Sequence, residues 1–340
     1  MRVSLSGRFI ERNVGGNTTY ARNLESGLIE RGVEIEHIPY ASSAPLTALR
    51  ESLYGVNPPQ QVQVIHYIAD TGPLLPLRRP SVVTVHGLAS RWTTVSRSRR
   101  AQAVWTARVR AAIHLCDHVI TVSHSSANDI RDVFGVDPDD ITVIPHGFDP
   151  KITAGPSEPP ERLSHLEHEP FVLYLGNIEP RKNLVALAAA FDSPDLTGMK
   201  LVVAGRKAWD FEESIRAFEA RDNIEYLGFV SDEERMWLYQ HCAIFVFPSH
   251  YEGFGLPVLE ALGAGTPVAC TRNGSLAEVA GPSAVIEDTS REAIADGLAR
   301  ALADTAWLQK VRHDGPEWAR QFSWDRSIDA HINVYRRLCA

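Results

Sequence analysis

Residues 243–261 read AIFVFPSHYEGFGLPVLEA. The run from Ala243 to Phe247 has the apolar and aromatic make-up of a buried strand, and Pro248, which has no N–H for a sheet ladder, stops it. Gly253 and Gly255 let the chain turn. Pro257 stands near the first helical position, where its fixed φ suits the helix, and Leu256 to Leu262 continue as a helix. Strand, glycine loop and helix make the repeating unit of a doubly wound sheet. In that arrangement the backbone amides of Phe254 and Gly255 point into a cleft. Glu252 lies in the loop and Glu260 in the first turns of the helix, so both can face one cavity. Each also has a plainer reading, Glu260 as a complement to the helix dipole and Glu252 as a solvated loop residue.

The same pattern extends both ways. In the second half, strands are expected at Phe171–Leu175, Lys200–Ala204, Ile224–Leu227 and Pro267–Cys270. Helices are expected over Asn183–Phe191 and Ser231–His241, the latter opened by a capping box of Ser231 and Glu234. In the first half, strands are expected at Val3–Leu5, Val33–Ile38, Gln63–Tyr67, Ser81–His86, Val119–Ser123 and Ile141–Ile144. A helix over Thr18–Arg31 carries Tyr20, Leu24, Leu28 and Ile29 on its apolar face and stops at Gly32; another covers Ser125–Phe134. Between Asp149 and Pro170 the alternation breaks at five prolines, Pro150, Pro156, Pro159, Pro160 and Pro170. The expected organisation is an α/β chain: a Rossmann-like domain over residues 1–150, a linker over 151–170 and a second Rossmann-like domain over 171–322. Ligands of such folds bind in the crevice at the carboxyl ends of the strands.

The length of 340 residues suits two domains at ~150 residues each. With 44% hydrophobic and 22% charged residues, the composition excludes long disorder or a fibrous architecture. The net charge of −8 argues against nucleic-acid binding. It is unevenly spread: residues 1–150 carry 15 Arg against 14 acidic residues, and residues 151–340 carry 19 Lys and Arg against 28. No apolar run approaches the ~20 residues of a membrane-spanning helix. Met1 to Ile10 lacks the apolar core of a secretory signal, so a cytoplasmic location is expected. Cys116, Cys242, Cys270 and Cys339 form no C-x-x-C pair, and no H-E-x-x-H is present. Reduced thiols and no bound metal are expected.

Several residues carry candidate chemistry. Gly15 and Gly16 lie between a strand and a helix, where they serve either as a tight turn or as an approach to an anion. His86 ends a strand, either facing the cleft or as a satisfied, partly buried side chain. Gly176 to Asn183 reads GNIEPRKN, a glycine turn followed by Arg181 and Lys182 just ahead of a helix. Cations there oppose the helix dipole unless an anion is bound, and a diphosphate matches both the Arg fork and the Lys point charge. Asp137-Pro138-Asp139 is a nominal D-x-D, read as a solvated turn. Arg91 to Arg110 holds six arginines and no acid. This reads as a solvated helix face or as a peripheral contact with an anionic membrane or a lipid-diphosphate acceptor.

Taken in order, Gly15-Gly16, Val85-His86-Gly87, Pro145-His146-Gly147-Phe148-Asp149, Gly176 with Glu179-Pro180-Arg181-Lys182-Asn183, Ala204-Gly205, and Glu252 through Ala261 resemble the motifs of family-4 glycosyltransferases. The last is similar to that family's E-x7-E signature, and the resemblance runs to Phe322-Ser323-Trp324-Asp325. It leans to bacterial mannosyl-, rhamnosyl- and glucosyltransferases of surface polysaccharides and glycosylated metabolites. It implies a GT-B fold, two Rossmann-like domains facing across a cleft, with a final helix in 323–340 crossing back to the first. It implies a retaining hexosyltransferase that needs no cofactor beyond its donor, a nucleotide-diphosphate sugar, with GDP-mannose favoured over UDP- and dTDP-sugars. The acceptor implied is a saccharide, a lipid-linked sugar or a small molecule. By the resemblance, Arg181 and Lys182 hold the diphosphate and Glu260 the ribose. Glu252 contacts the transferred sugar, and His86 contacts that sugar or the phosphates. Gly16, Gly176, Phe254, Gly255 and Leu256 offer close backbone approaches. His146 replaces the Asn common in relatives. A GT-B 2-epimerase or hydrolase, and a non-catalytic sugar-nucleotide binder, are the alternative readings.

Overall fold

The computed structural model describes the whole chain apart from residues 12–14, 93–98, 154 and 157. The described residues separate into two compact units. One takes those of Met1–Arg91, Arg97–Gly147 and Ser323–Ala340, the other those of Trp92–Ser96 and Phe148–Phe322.

The first unit is built on β1 (Arg2–Ser6), β2 (Glu34–Ile38), β3 (Val64–Tyr67), β4 (Ser81–Val85), β5 (His118–Thr121) and β6 (Ile141–Val143). The strands are hydrogen-bonded in the order β2-β1-β3-β4-β5-β6, every pair parallel. Its helices are α1 (Gly7–Ile10), α2 (Gly16–Glu30), α3 (Ala44–Val56), α4 (Ala89–Trp92), α5 (Arg99–Leu115), α6 (His124–Phe134) and, from the far end of the chain, the last helix (Trp324–Cys339). Side chains alternate across the strands. Val64 and Val82 pack with Leu24, Leu28, Ile328 and Ile332 beneath α2 and the last helix. Ile65, Tyr67, Val83 and Val85 pack with Val109, Ile113, Ile130 and Phe134 beneath α5 and α6.

Two expectations change here. Ile29, assigned to the apolar face of its helix, is 55% exposed, because Tyr20, Leu24 and Leu28 already define the buried stripe. The helix α3 was not anticipated. Its leucines lie on the outer side, while Thr47, Ala48, Glu51, Ser52 and Gly55 are buried, so the usual apolar periodicity is inverted.

The second unit holds β7 (Phe171–Leu175), β8 (Lys200–Ala204), β9 (Ile224–Gly228), β10 (Ile244–Phe247), β11 (Val268–Cys270) and β12 (Ala284–Val285). They form a sheet in the order β12-β11-β10-β7-β8-β9, again all parallel. Around it lie α7 (Leu184–Ala190), α8 (Glu212–Glu219), α9 (Asp232–His241), α10 (Leu256–Gly263), α11 (Leu276–Val279), α12 (Arg291–Ala303) and α13 (Thr305–Ala319), which makes the last helix α14. The Pro-rich stretch 151–170, expected as a linker, contributes a 3-10 turn over Glu161–Leu166 whose Leu163 and Leu166 are buried. Prolines forbid a regular helix or central strand there but leave the intervening leucines able to pack.

Candidate functional site

The order of the second sheet reverses between β7 and β10, and the carboxyl edge at such a reversal is where ligands of these folds bind. Both charged motifs arrive there. After β7 the chain forms a single 3-10 turn, Pro180–Lys182, and Asn183 takes a left-handed φ of 60° before α7 begins. Asn tolerates that conformation, and its amide Nδ2 donates to the Thr289 carbonyl at 2.8 Å. The His250 N–H donates to the Arg181 carbonyl at 3.0 Å, binding the loop after β10 to the turn after β7.

At this edge Glu252, Lys182 and Glu179 are each only 6% exposed. Lys182 Nζ stands 2.6 Å from Glu252 Oε1, and Arg181 Nη1 stands 2.7 Å from Glu252 Oε2. Arg181 also donates through Nη2 to Glu179 Oε1 at 2.6 Å and through Nη1 to the Tyr251 carbonyl at 2.7 Å. Lys182 Nζ lies 4.6 Å from the centre of the Phe247 ring. Burial works to raise the Glu252 carboxyl, but Arg181 and Lys182 outweigh it and hold the pKa down at about 2. Burial, then the neighbouring Arg181, pull Lys182 below its ordinary value against its carboxylate partners. Two cations are thus matched by two carboxylates. This changes the sequence argument: the charge conflict ahead of α7 is relieved within the protein by Glu179 and Glu252. Glu179 belongs to the quoted motif, but its role as a partner was not anticipated; its only sequence signal is its position two residues before Arg181.

Glu260 lies apart from that cluster in its contacts. It accepts from Tyr239 Oη at 3.2 Å and pairs with Arg235 at 3.3 Å, both on α9. Burial raises its pKa, with Arg235 opposing. Arg235 and Tyr239 carried no sequence signal as its partners. Gly255 caps α10 with φ 103°, a conformation that favours glycine. Ser275 Oγ donates to the carbonyls of Glu252 and Phe254 at 3.0 and 2.7 Å, holding the loop between them. The Phe254 ring is buried edge-on against Phe322, and Leu256 is half-buried at the start of the helix. Gly176 and Gly205 end adjacent strands so closely that a Cβ on Gly205 would stand 1.7 Å from the Gly176 carbonyl oxygen.

In the first unit, His86 follows β4. Its N–H donates to Asp70 Oδ1 at 2.8 Å, and its ring Nε2–H donates to the Ile68 carbonyl at 3.1 Å. Burial lowers its pKa, with Asp70 opposing. The Tyr20 ring meets it edge-on at 4.9 Å, and His146 lies 5.6 Å away. His146 is therefore a buried neighbour of His86, and burial keeps it well below its ordinary pKa. Gly16 is exposed at the first position of α2.

Asp137 caps the 3-10 turn Pro138–Asp140, its Oδ1 accepting from the Asp139 N–H at 3.0 Å. β6 runs parallel to β5, so this turn sits at the amino-terminal edge of the sheet. Of the six arginines of Arg91–Arg110, two make contacts within the first unit. Arg91 pairs with Asp129 and Asp132 at 2.9 Å, and Arg110 lies over the Phe134 ring. Arg97 lies outside the described residues. Among the described residues no helix is long and apolar enough to cross a membrane.

Comparison with known proteins agrees with this geometry. Residues 57–152 match the family model described as Glycosyltransferase Family 4, and residues 158–321 match that of Glycosyl transferases group 1. The O-antigen chain mannosyltransferase B of Escherichia coli is 34% identical over 230 residues, 65% of this chain. The chain spans 60% of that relative's length. A sucrose-phosphate synthase from Thermosynechococcus elongatus superposes with a TM-score of 0.79 at 21% identity, covering 99% of each chain. Anabaena HepE in complex with UDP and glucose superposes with a TM-score of 0.74 at 17% identity, covering 99% of this chain and all of its own. With a parallel six-stranded sheet in each unit, both family models matched in order and the E-x7-E and R-K-N motifs at one switch point, the chain belongs to the family-4, group 1 glycosyltransferases and has the GT-B fold.

Proposed function

We propose that this chain transfers a hexose from a nucleotide-diphosphate sugar to a hydroxyl of a saccharide, lipid-linked or small-molecule acceptor. The transfer retains the anomeric configuration and uses no bound metal. GDP-mannose is the first candidate donor, its mannose supported by the name of the Escherichia coli relative; UDP- and dTDP-sugars follow, the former supported by the UDP in HepE. The observation that carries the reading is the meeting of Arg181, Lys182 and Glu252 at the β7/β10 switch point.

A diphosphate binding there takes over Arg181 and Lys182 from their carboxylate partners. As the anomeric C–O bond breaks, charge gathers on the leaving diphosphate, where a fixed fork and point charge help most. Glu252, released from its two cations, is left beside the transferred sugar, and Glu260 takes the ribose hydroxyls. Gly16, Gly176, Phe254, Gly255 and Leu256 provide close backbone approach. For His86 the hydrogen bonds favour one of two roles. Its Nε2–H is committed to the Ile68 carbonyl, so the neutral ring keeps Nδ1 as an acceptor. That suits a sugar hydroxyl, which can donate, over a phosphate, which cannot. The acceptor hydroxyl attacks on the face the diphosphate leaves, its proton passing to a phosphate oxygen as the new C–O bond forms.

The test is a thermal-shift panel of GDP, UDP and dTDP, followed by turnover of the matching sugar donor in EDTA. The expected outcome is stabilisation by one nucleotide and a product whose anomeric proton shows the donor's configuration by NMR. Inversion, or loss of activity in EDTA with recovery on adding Mg²⁺, would overturn the mechanism. Release of epimer or free sugar from donor alone would favour the alternative reading.

A further inference from the structure

Large apolar side chains left in water are scattered over most of this molecule, but five of the eleven among the described residues fall in two adjoining segments. Leu46, Leu49 and Leu53 lie on α3 at 45, 50 and 54% exposure, and Leu74 and Leu75 follow β3 at 47 and 42%. The spacing of 46, 49 and 53 is one helical stripe, facing outward. The second segment reads PLLPLRRP over residues 73–80. It is laid along the carboxyl-terminal half of α3: the Leu74 N–H donates to Ser52 Oγ at 2.9 Å and the Arg78 N–H to the Gly55 carbonyl at 3.1 Å. A Cβ on Gly55 would run into the Leu77 side chain, so the loop lies directly against the helix. The two sets of leucines are parts of one surface.

The charge that these two segments themselves expose has one sign. Arg50, Arg78 and Arg79 flank the leucines, and Arg50 and Arg78 are exposed. The single carboxylate in residues 44–56 and 73–80 is Glu51, which is buried and paired with Arg8 at 3.1 Å. The neighbouring carboxylate, Glu36 of β2, accepts from Tyr54 of α3 at 3.0 Å. In a chain of net charge −8 whose acidic excess lies beyond residue 150, a leucine face whose own segments expose only arginines is out of keeping with its surroundings. Apolar side chains on a helix lying flat, with arginines at its border, have the composition that binds the interface of an anionic bilayer.

We propose that the outer face of α3 and the Pro73–Pro80 loop form a docking surface for an anionic lipid bilayer. The leucines enter the boundary between headgroups and acyl chains, and Arg50, Arg78 and Arg79 meet the lipid phosphates. This surface is separate in sequence from the Arg91–Arg110 stretch. It does not depend on which donor the site takes.

The experiment is flotation of the full chain with vesicles of phosphatidylcholine alone and with 30% phosphatidylglycerol, ~30% being enough to give a negative surface. Binding is expected to the anionic vesicles, at least ~10-fold weaker to the neutral ones, and weaker still in high salt. L49E/L53E and R78E/R79E should each reduce binding at least ~10-fold while keeping the thermal midpoint and the nucleotide-induced shift of the wild type. Absence of binding to anionic vesicles, or binding by both variants equal to that of the wild type, overturns the proposal. So does light scattering that shows a dimer which L49E/L53E converts to monomer, since a second copy would then occupy the face. Failure of nucleotide binding in wild type bears on the proposed reaction and leaves the vesicle result standing.

Discussion

Arg181 and Lys182 are held as half of a buried four-charge cluster, and that decides how their removal should act. Arg181→Ala leaves Glu179 and Glu252 short of a partner, and Lys182→Ala leaves Glu252 short of one. Breaking such a buried pair costs on the order of 3–5 kcal/mol, so each variant should unfold at lower denaturant than the wild type. At temperatures where both remain folded, nucleoside-diphosphate affinity by calorimetry should fall at least ~10-fold, since a charge-assisted contact contributes about 1.5–3 kcal/mol. Wild-type affinity in either folded variant would remove the diphosphate role from that residue. The two glutamates should fail differently. In the proposed reaction Glu252 competes with the diphosphate for both cations, so Glu252→Gln should bind nucleotide as well as the wild type or better while kcat drops. With Glu260 on the non-reacting ribose, as proposed, Glu260→Gln should raise the donor KM more than it lowers kcat. Identical kinetic signatures would refute this division. Both motifs were legible in the sequence as motifs. That Glu252 neutralises Arg181 and Lys182 was not, because residues 70 positions apart meet only through the pairing of β7 with β10.

At the scale of elements, α14 is fastened to the first sheet by a chain of hydrogen bonds whose direction can be worked out. His331 Nδ1 lies 2.7 Å from the Ser327 carbonyl, which only accepts, so Nδ1 carries the proton. Its Nε2 therefore accepts from Tyr20 Oη at 2.8 Å. Tyr20 Oη also meets Thr84 Oγ1 at 3.0 Å, and Thr84 Oγ1 meets His66 Nε2 at 2.7 Å. His66 Nδ1 meets Tyr335 Oη at 2.7 Å. The chain joins α2, β3, β4 and α14 and is complete with both histidines neutral. Burial holds the His331 pKa down at about 4 and that of His66 well below its ordinary value. A histidine depressed on folding contributes stability above its unfolded pKa of ~6.5 and loses it as the pH falls toward the folded value. His331 alone should account for roughly 3 kcal/mol of lost stability between pH ~6.5 and ~4. Urea denaturation at pH 7, 5.5 and 4.5 should show that decline. His331→Phe should start less stable at pH 7 and decline less steeply, and an unchanged pH dependence in the variant would refute the assignment. By contrast, the capping box at Ser231 and Glu234 was readable directly, since both of its hydrogen bonds lie within four residues.

Across the whole molecule, local pattern carried most of the architecture. Parallel strands buried on both faces appear as short apolar runs, and SVVTV, FVLYL and IFVF are all of this kind. The inverted helix α3 escaped for the reason that makes it interesting: its leucines face water, so a rule that places leucines inward finds no stripe to bury. The uneven charge was legible as a count, but which basic segment is free to meet a partner was not. Arg91 is paired with Asp129 and Asp132, while Arg110, like Arg78, is exposed.

The sequence by itself determined the alternation of strands and helices, the break near residue 150 and the candidate motifs. These rest on interactions between residues close along the chain: the period of apolar side chains, the φ of proline and glycine, and the reach of a capping side chain. Only the tertiary structure decided which charges neutralise one another, which histidines are kept uncharged by burial, and which leucines remain in water. Those outcomes depend on strand order and on the depth at which each side chain is placed. Coulomb attraction and desolvation act through space, between groups that the chain itself holds tens or hundreds of residues apart.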